Sequence, residues 1–153
     1  MKSVCLVSIL SATALWAAVP IASAQSPAYQ PCDDSDSVQA AGYDPTTRND
    51  IATASSNGCS FISDQGNRMT LIYDGKSWEE ETRVGGDPNL RATPIDDLAG
   101  HQAVKFEGPA LPNSCIVIVK TADRPFEVRL DSYGDICGQT ISAAGKFAPS
   151  LSS

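Results

Sequence analysis

Hydrophobic and polar residues alternate with period two along three stretches of the chain. Arg68–Tyr73, His101–Glu107 and Phe126–Asp131 each place every second side chain on one face, which predicts half-buried strands. Cys59–Ser63 predicts a further strand, and Cys115–Lys120 is apolar enough to predict a central one. Asp64-Gln65-Gly66-Asn67 predicts a hairpin turn, and Asn57-Gly58 reads as a turn ahead of the Cys59 strand. Gly108-Pro109 and Pro112-Asn113 bracket another turn.

Ile136, Thr140, Ile141 and Ala144 fall on one helical stripe with Phe147 at its edge, which predicts a helix over Ile136–Phe147. Shorter helices are expected near Asp36–Ala41, stopped by Gly42, and within Lys76–Val84, where Ser77 and Glu80 have capping-box spacing. Gly85-Gly86-Asp87-Pro88 closes that element. Tyr43-Asp44-Pro45 reads as a turn or extended segment, and Asn89–Gly100 as a long connection. These elements add up to an α+β fold: an antiparallel sheet of about five strands packed by N-terminal and C-terminal helices on one face. The expected single domain covers 32–148, after a polar leader at 25–31 and before a tail at 149–153.

The first residues have a different pattern. Lys2 precedes an apolar stretch from Val4 to Val19, then Pro20 and the small-residue run Ala22-Ser23-Ala24. That order predicts a secretory signal peptide over 1–24, cleaved ahead of Gln25. Cys5 and Cys32 are both misplaced for lipid attachment after such a signal, so no lipid anchor is expected.

Cys32, Cys59, Cys115 and Cys137 remain, an even number in a chain read as exported. Four cysteines allow three pairings. Cys32–Cys59 and Cys115–Cys137 are favoured, because each closes a local loop and Ser60–Ser114 separates the two pairs. No C-x-x-C spacing supports a zinc or redox site.

Composition narrows the function. The chain has 153 residues, 11 Lys+Arg, 18 Asp+Glu and a formal charge of −7, and loss of Lys2 with the signal makes it −8. An acidic chain does not suit nucleic acid or anionic membrane as main partner. His101 is the single histidine, so a Ser-His-Asp hydrolase would have to use it with Asp96 or Asp97. No G-x-S-x-G nucleophile motif accompanies it. Glu79-Glu80-Glu81 reads as a solvated helix face rather than a glycosidase carboxylate pair. Asp33-Asp34-x-Asp36 lacks the glycine and glutamate of a calcium loop and suits a helix N-terminus. Gly85-Gly86 lacks the following Lys-Ser/Thr of a phosphate-binding loop.

The order of motifs carries a resemblance. It runs Pro31-Cys32-Asp33, Ala41-Gly42-Tyr43, Gly58-Cys59-Ser60-Phe61, then Leu98-Ala99-Gly100-His101-Gln102-Ala103, with Cys115 opening a Val/Ile strand and Cys137 on the last helix. Over residues 31 to 148 this resembles an actinobacterial exported and lipoprotein family, domain of unknown function 3558. Gly100 and Ala103 match its Gly-x-x-Ala pattern, and the four cysteines match its cysteines. The chain departs from many relatives in lacking a lipid-attachment cysteine. It is also similar to mycobacterial disulfide-bonded sensor and lipoprotein domains. The resemblance implies an envelope or extracellular location, and ligand binding over catalysis by analogy of fold.

The expectation is therefore a secreted, monomeric, non-catalytic domain without cofactor or metal. Its partner would be a small molecule, a lipid or an envelope protein. Tyr73, Trp78 and His101 are the candidate wall residues of a site between the sheet and segment 76–100; Trp78 is the single tryptophan after the signal.

Overall fold

The structure is a computed structural model that describes residues 29–74, 76–83 and 87–152. The expected signal peptide and Gly85-Gly86 lie outside the described residues. The element order is α1 (Ser35–Ala40), β1 (Asp44–Ala52), β2 (Ser56–Ile62), β3 (Arg68–Asp74), α2 (Trp78–Glu81), β4 (Arg91–Leu98), β5 (His101–Glu107), β6 (Ser114–Val119), β7 (Phe126–Asp131) and α3 (Ile136–Phe147). The described strands form one seven-stranded sheet in the order β1-β2-β3-β7-β6-β5-β4. Every neighbouring pair is antiparallel.

The sheet therefore has seven strands, not about five. The two additions are its edges, β1 and β4. Tyr43-Asp44-Pro45 leads straight into β1, and most of the expected Asn89–Gly100 connection is β4. Asn57-Gly58 is not a turn but lies within β2, paired with Tyr73 and Ile72. A Cβ at Gly58 would sit 2.1 Å from the Leu71 carbonyl oxygen, so glycine serves a close approach of two strands there. The turn falls earlier: Thr53 Oγ1 accepts from Ser56 N at 2.9 Å, and Thr53 N donates to Ser56 O.

One face of the sheet holds the core. Leu71, Val128 and Val117 stand in one row across β3, β7 and β6. They are buried with Phe61, Met69, Phe126 and Leu130 against Val38 of α1 and Ala143, Ala144 and Phe147 of α3. The expected stripe on α3 is observed with its centre shifted. Thr140, Ala143, Ala144 and Phe147 are buried, and Ile136 and Ile141 are partly so. Leu151, just beyond α3, also joins the core. On the opposite face Phe106, Ile116 and Ile118 are sheltered by Leu90 and Leu111 from two loops.

Both disulfides pair as favoured. Cys32–Cys59 ties the segment before α1 to β2, and Cys115–Cys137 ties β6 to the first turn of α3. A polar relay adds a third fastening. Tyr29 donates to Asp34, whose carboxylate caps α1 through Ser37 N and accepts from Ser37 Oγ. Ser37 Oγ also reaches the Lys146 carbonyl of α3 at 3.1 Å.

Burial opposes ionisation of Asp34, but the Tyr29 and Ser37 hydrogen bonds outweigh it and hold its pKa below the usual carboxylate value. A depressed folded-state pKa stabilises fully above the unfolded value and is lost as pH falls through the folded one. Asp34→Ala is expected to cost about 1 kcal/mol at neutral pH, the usual worth of an N-cap. The difference from wild type should shrink in acid, read by urea denaturation at both pH values. An equal deficit at both would show that the carboxylate's charge contributes nothing.

Candidate functional site

The expected wall residues do not meet. Tyr73 lies on the helix-covered face, its ring 5.3 Å from Phe126 and under the Arg124 guanidinium at 4.9 Å. Burial pushes its hydroxyl well above the ordinary tyrosine range. His101 is also on that face, 7% exposed, and its Nδ1 lies 3.0 Å from the Lys120 carbonyl. Trp78 belongs to α2, with Lys120 Nζ 5.8 Å from its ring centre. Glu81 and Arg83 of the same segment flank the opposite, loop-sheltered face. Glu81 and Arg83 thus stand on the other side of the sheet from Tyr73 and His101, while Leu98 of β4 belongs to the core on the face of those two residues.

The geometry around His101 also bears on the hydrolase alternative. Asp97 accepts from Gly100 N at 2.6 Å inside the β4–β5 turn. That turn has Ala99 and Gly100 both at positive φ, as a two-residue type I′ hairpin requires. Among the described residues, neither Asp96 nor Asp97 hydrogen-bonds to His101, and no group of three His, Cys, Asp or Glu is placed to hold a metal.

A sizeable cavity lies elsewhere, at the end of the sheet where β2 and β7 finish and β3 begins. It has a volume of about 580 Å³. Three local structures converge on it. The first is the end of α1. Gly42, at φ +89°, donates to Gln39 O, and Tyr43 N donates to Val38 O. These bonds make a Schellman motif, which only a residue tolerant of positive φ closes without strain. It places Tyr43 in the groove wall.

The second is the β2–β3 turn. Gly66, at φ +79°, donates to Ser63 O, and Ser63 N bonds to Asn67 O. Asp64, Gln65 and Asn67 are thereby carried to the groove rim. The third is the start of α3. Asp135 caps it by accepting from Gly138 N, and Cys137 is disulfide-bonded to β6. A Cβ at Gly138 would sit 2.2 Å from Asp135 Oδ2, so glycine lets the cap close. Gln139 and Ser142 follow on the exposed side of the helix and line the groove.

Leu130 and Ala143 are the buried apolar residues beside Tyr43 in the lining. Burial, helped by the Asp131 charge, raises the Tyr43 hydroxyl above its ordinary pKa, so Tyr43 is a neutral donor at physiological pH. A second cavity of about 370 Å³ continues past Tyr43 along Gln39, Asp44 and Pro45, sharing Gly42 and Asp64 with the first. No lysine or arginine lines either.

Tyr43, Gln65, Asn67, Gln139 and Ser142 were not among the residues the sequence singled out. Their local signals are visible in it: a glycine after α1, a hairpin turn and an acidic cap before α3. What a linear reading lacks is the topology that brings the three to one end of the sheet.

Comparison of the chain with protein-family models found no match, and comparisons with curated proteins and with solved structures found none either. The two disulfides point to an oxidising, extracellular type of environment. No helix among the described residues is long and apolar enough to cross a membrane.

Proposed function

We propose that the chain is an exported, non-catalytic domain of the cell envelope or extracellular space that binds a small polar molecule in the Tyr43 groove. The observation that carries this reading is the groove itself. Its volume of about 580 Å³ lies in the range of small-molecule sites. Its rim presents primary amides and a hydroxyl, and a capped, disulfide-tied helix holds one wall. Preorganisation of this kind lowers the entropy cost of binding. A lipid is the poorer fit, because polar side chains ring the opening.

The signal-peptide pattern and the resemblance to the exported family of unknown function support the location. Native mass spectrometry of the protein from its own secretion medium tests the whole reading. The expected result is a chain starting at Gln25, without acyl groups, carrying extra mass of small-molecule size. Gln65→Ala combined with Gln139→Ala should lose that mass. A bare wild-type chain would overturn the binding role, and an acylated one the freely soluble location.

A further inference from the structure

We infer that the ligand of the Tyr43 groove is an uncharged oligosaccharide; this rests on the groove being a binding site. Charge removes one class first. The lining holds Asp64 and Asp135 and no cationic side chain, so an anion would meet like charge with nothing to neutralise it. A cationic ligand is poorly served as well. Asp135 already caps α3, and Asp64 is exposed at the tip of a turn. An ion pair to such an exposed carboxylate is weak and salt-screened.

Recognition then falls to neutral groups. Gln65, Asn67 and Gln139 offer three primary amides, and Ser142 a hydroxyl, around one opening. Each of these groups both donates and accepts, as a sugar hydroxyl does. Gln139 is partly oriented already, since its Oε1 accepts from Ser132 Oγ at 3.3 Å. That bond leaves its NH₂ free to donate. Ala40, exposed, and Ala41, half-buried, supply the accessible apolar surface of the lining for the C–H face of a pyranose ring. Continuation of the groove past Tyr43 toward Asp44 and Pro45 gives length for more than one sugar unit.

The test is an amide-resolved NMR titration of the disulfide-intact protein with uncharged trisaccharides (cellotriose, maltotriose and N-acetylchitotriose), and separately with spermidine and inorganic phosphate. A millimolar trisaccharide should move the backbone signals of Gln65, Asn67, Gln139 and Ser142, while phosphate leaves them in place. Gln65→Ala combined with Gln139→Ala should weaken binding by about tenfold, one lost hydrogen bond's worth or more, with a melting temperature lower by only a few degrees, from loss of the Ser132–Gln139 bond. Movement with spermidine or phosphate but with no trisaccharide would overturn the saccharide assignment and keep the groove as a site. No movement with any probe would overturn both.

Discussion

Removing the Cys115–Cys137 bridge, by Cys115→Ala with Cys137→Ser, is expected to lower stability by about 3 kcal/mol. The bridge spans 22 residues. Loop closure of that length takes about 3 kcal/mol of conformational freedom from the unfolded chain. Alanine is chosen at 115 because that side chain is fully buried, where a serine hydroxyl would add a desolvation cost. The bridge also joins a central strand to the first turn of α3, which carries Gln139 to the groove. Urea denaturation should show a lower midpoint with a steeper slope, because the unbridged unfolded chain exposes more surface, and heating a melting temperature lower by roughly 12 °C. A loss below about 1 kcal/mol would show that packing of Ala144 and Phe147 holds α3 without the bridge.

Phe126–Asp131 and α3 were legible because their burial is one-sided, whereas β6 showed as an apolar run buried on both faces and α2, which buries no residue, by its capping box. Phe126–Asp131 alternates buried and half-buried without a break, and its pattern is its structure. The two edge strands were hidden for a shared reason. β1 is exposed along most of its length and contains Pro45, Arg48 and Asp50; β4 contains Pro94, Asp96 and Asp97. Each also has an irregularity in its pairing, between Asp44 and Asn49 and between Ile95 and Leu98. Proline, charge and bulges keep a sheet edge from recruiting another strand. The same features erase the alternation by which a strand is recognised in sequence. Asn57-Gly58 misleads differently: its glycine answers to the Leu71 backbone across β3, not to a turn.

The site was less legible than the fold. Tyr73, Trp78 and His101 stood out by residue type, and each turns out to have a local partner: Phe126 and Arg124, Lys120 Nζ, and the Lys120 carbonyl. The groove residues are ordinary amides and serines. They become a candidate site only because β3 pairs with β7, which sets the start of α3 beside the β2–β3 turn.

Phe126→Ala is expected to be the most damaging single change, costing about 4 kcal/mol, within the usual range for losing a buried phenylalanine. Phe126 is fully buried, and its ring lies 5.3 Å from that of Tyr73 and 5.8 Å, edge-on, from that of Phe147. It therefore joins β3, β7 and the end of α3 at one point. Truncation leaves a cavity that two aromatic neighbours on separate elements cannot both collapse into. Phe126→Leu keeps most of the volume and should cost about 1.5 kcal/mol. The position also separates stability from binding. Phe126 opens β7 and Leu130 lies four residues on, at the groove end, about 13 Å away along the strand. The leucine variant should thus unfold at lower urea while the groove signals of Gln65, Gln139 and Ser142 still move with the trisaccharide. Equal losses of stability in the two variants would place the cost in the aromatic contacts rather than in the cavity.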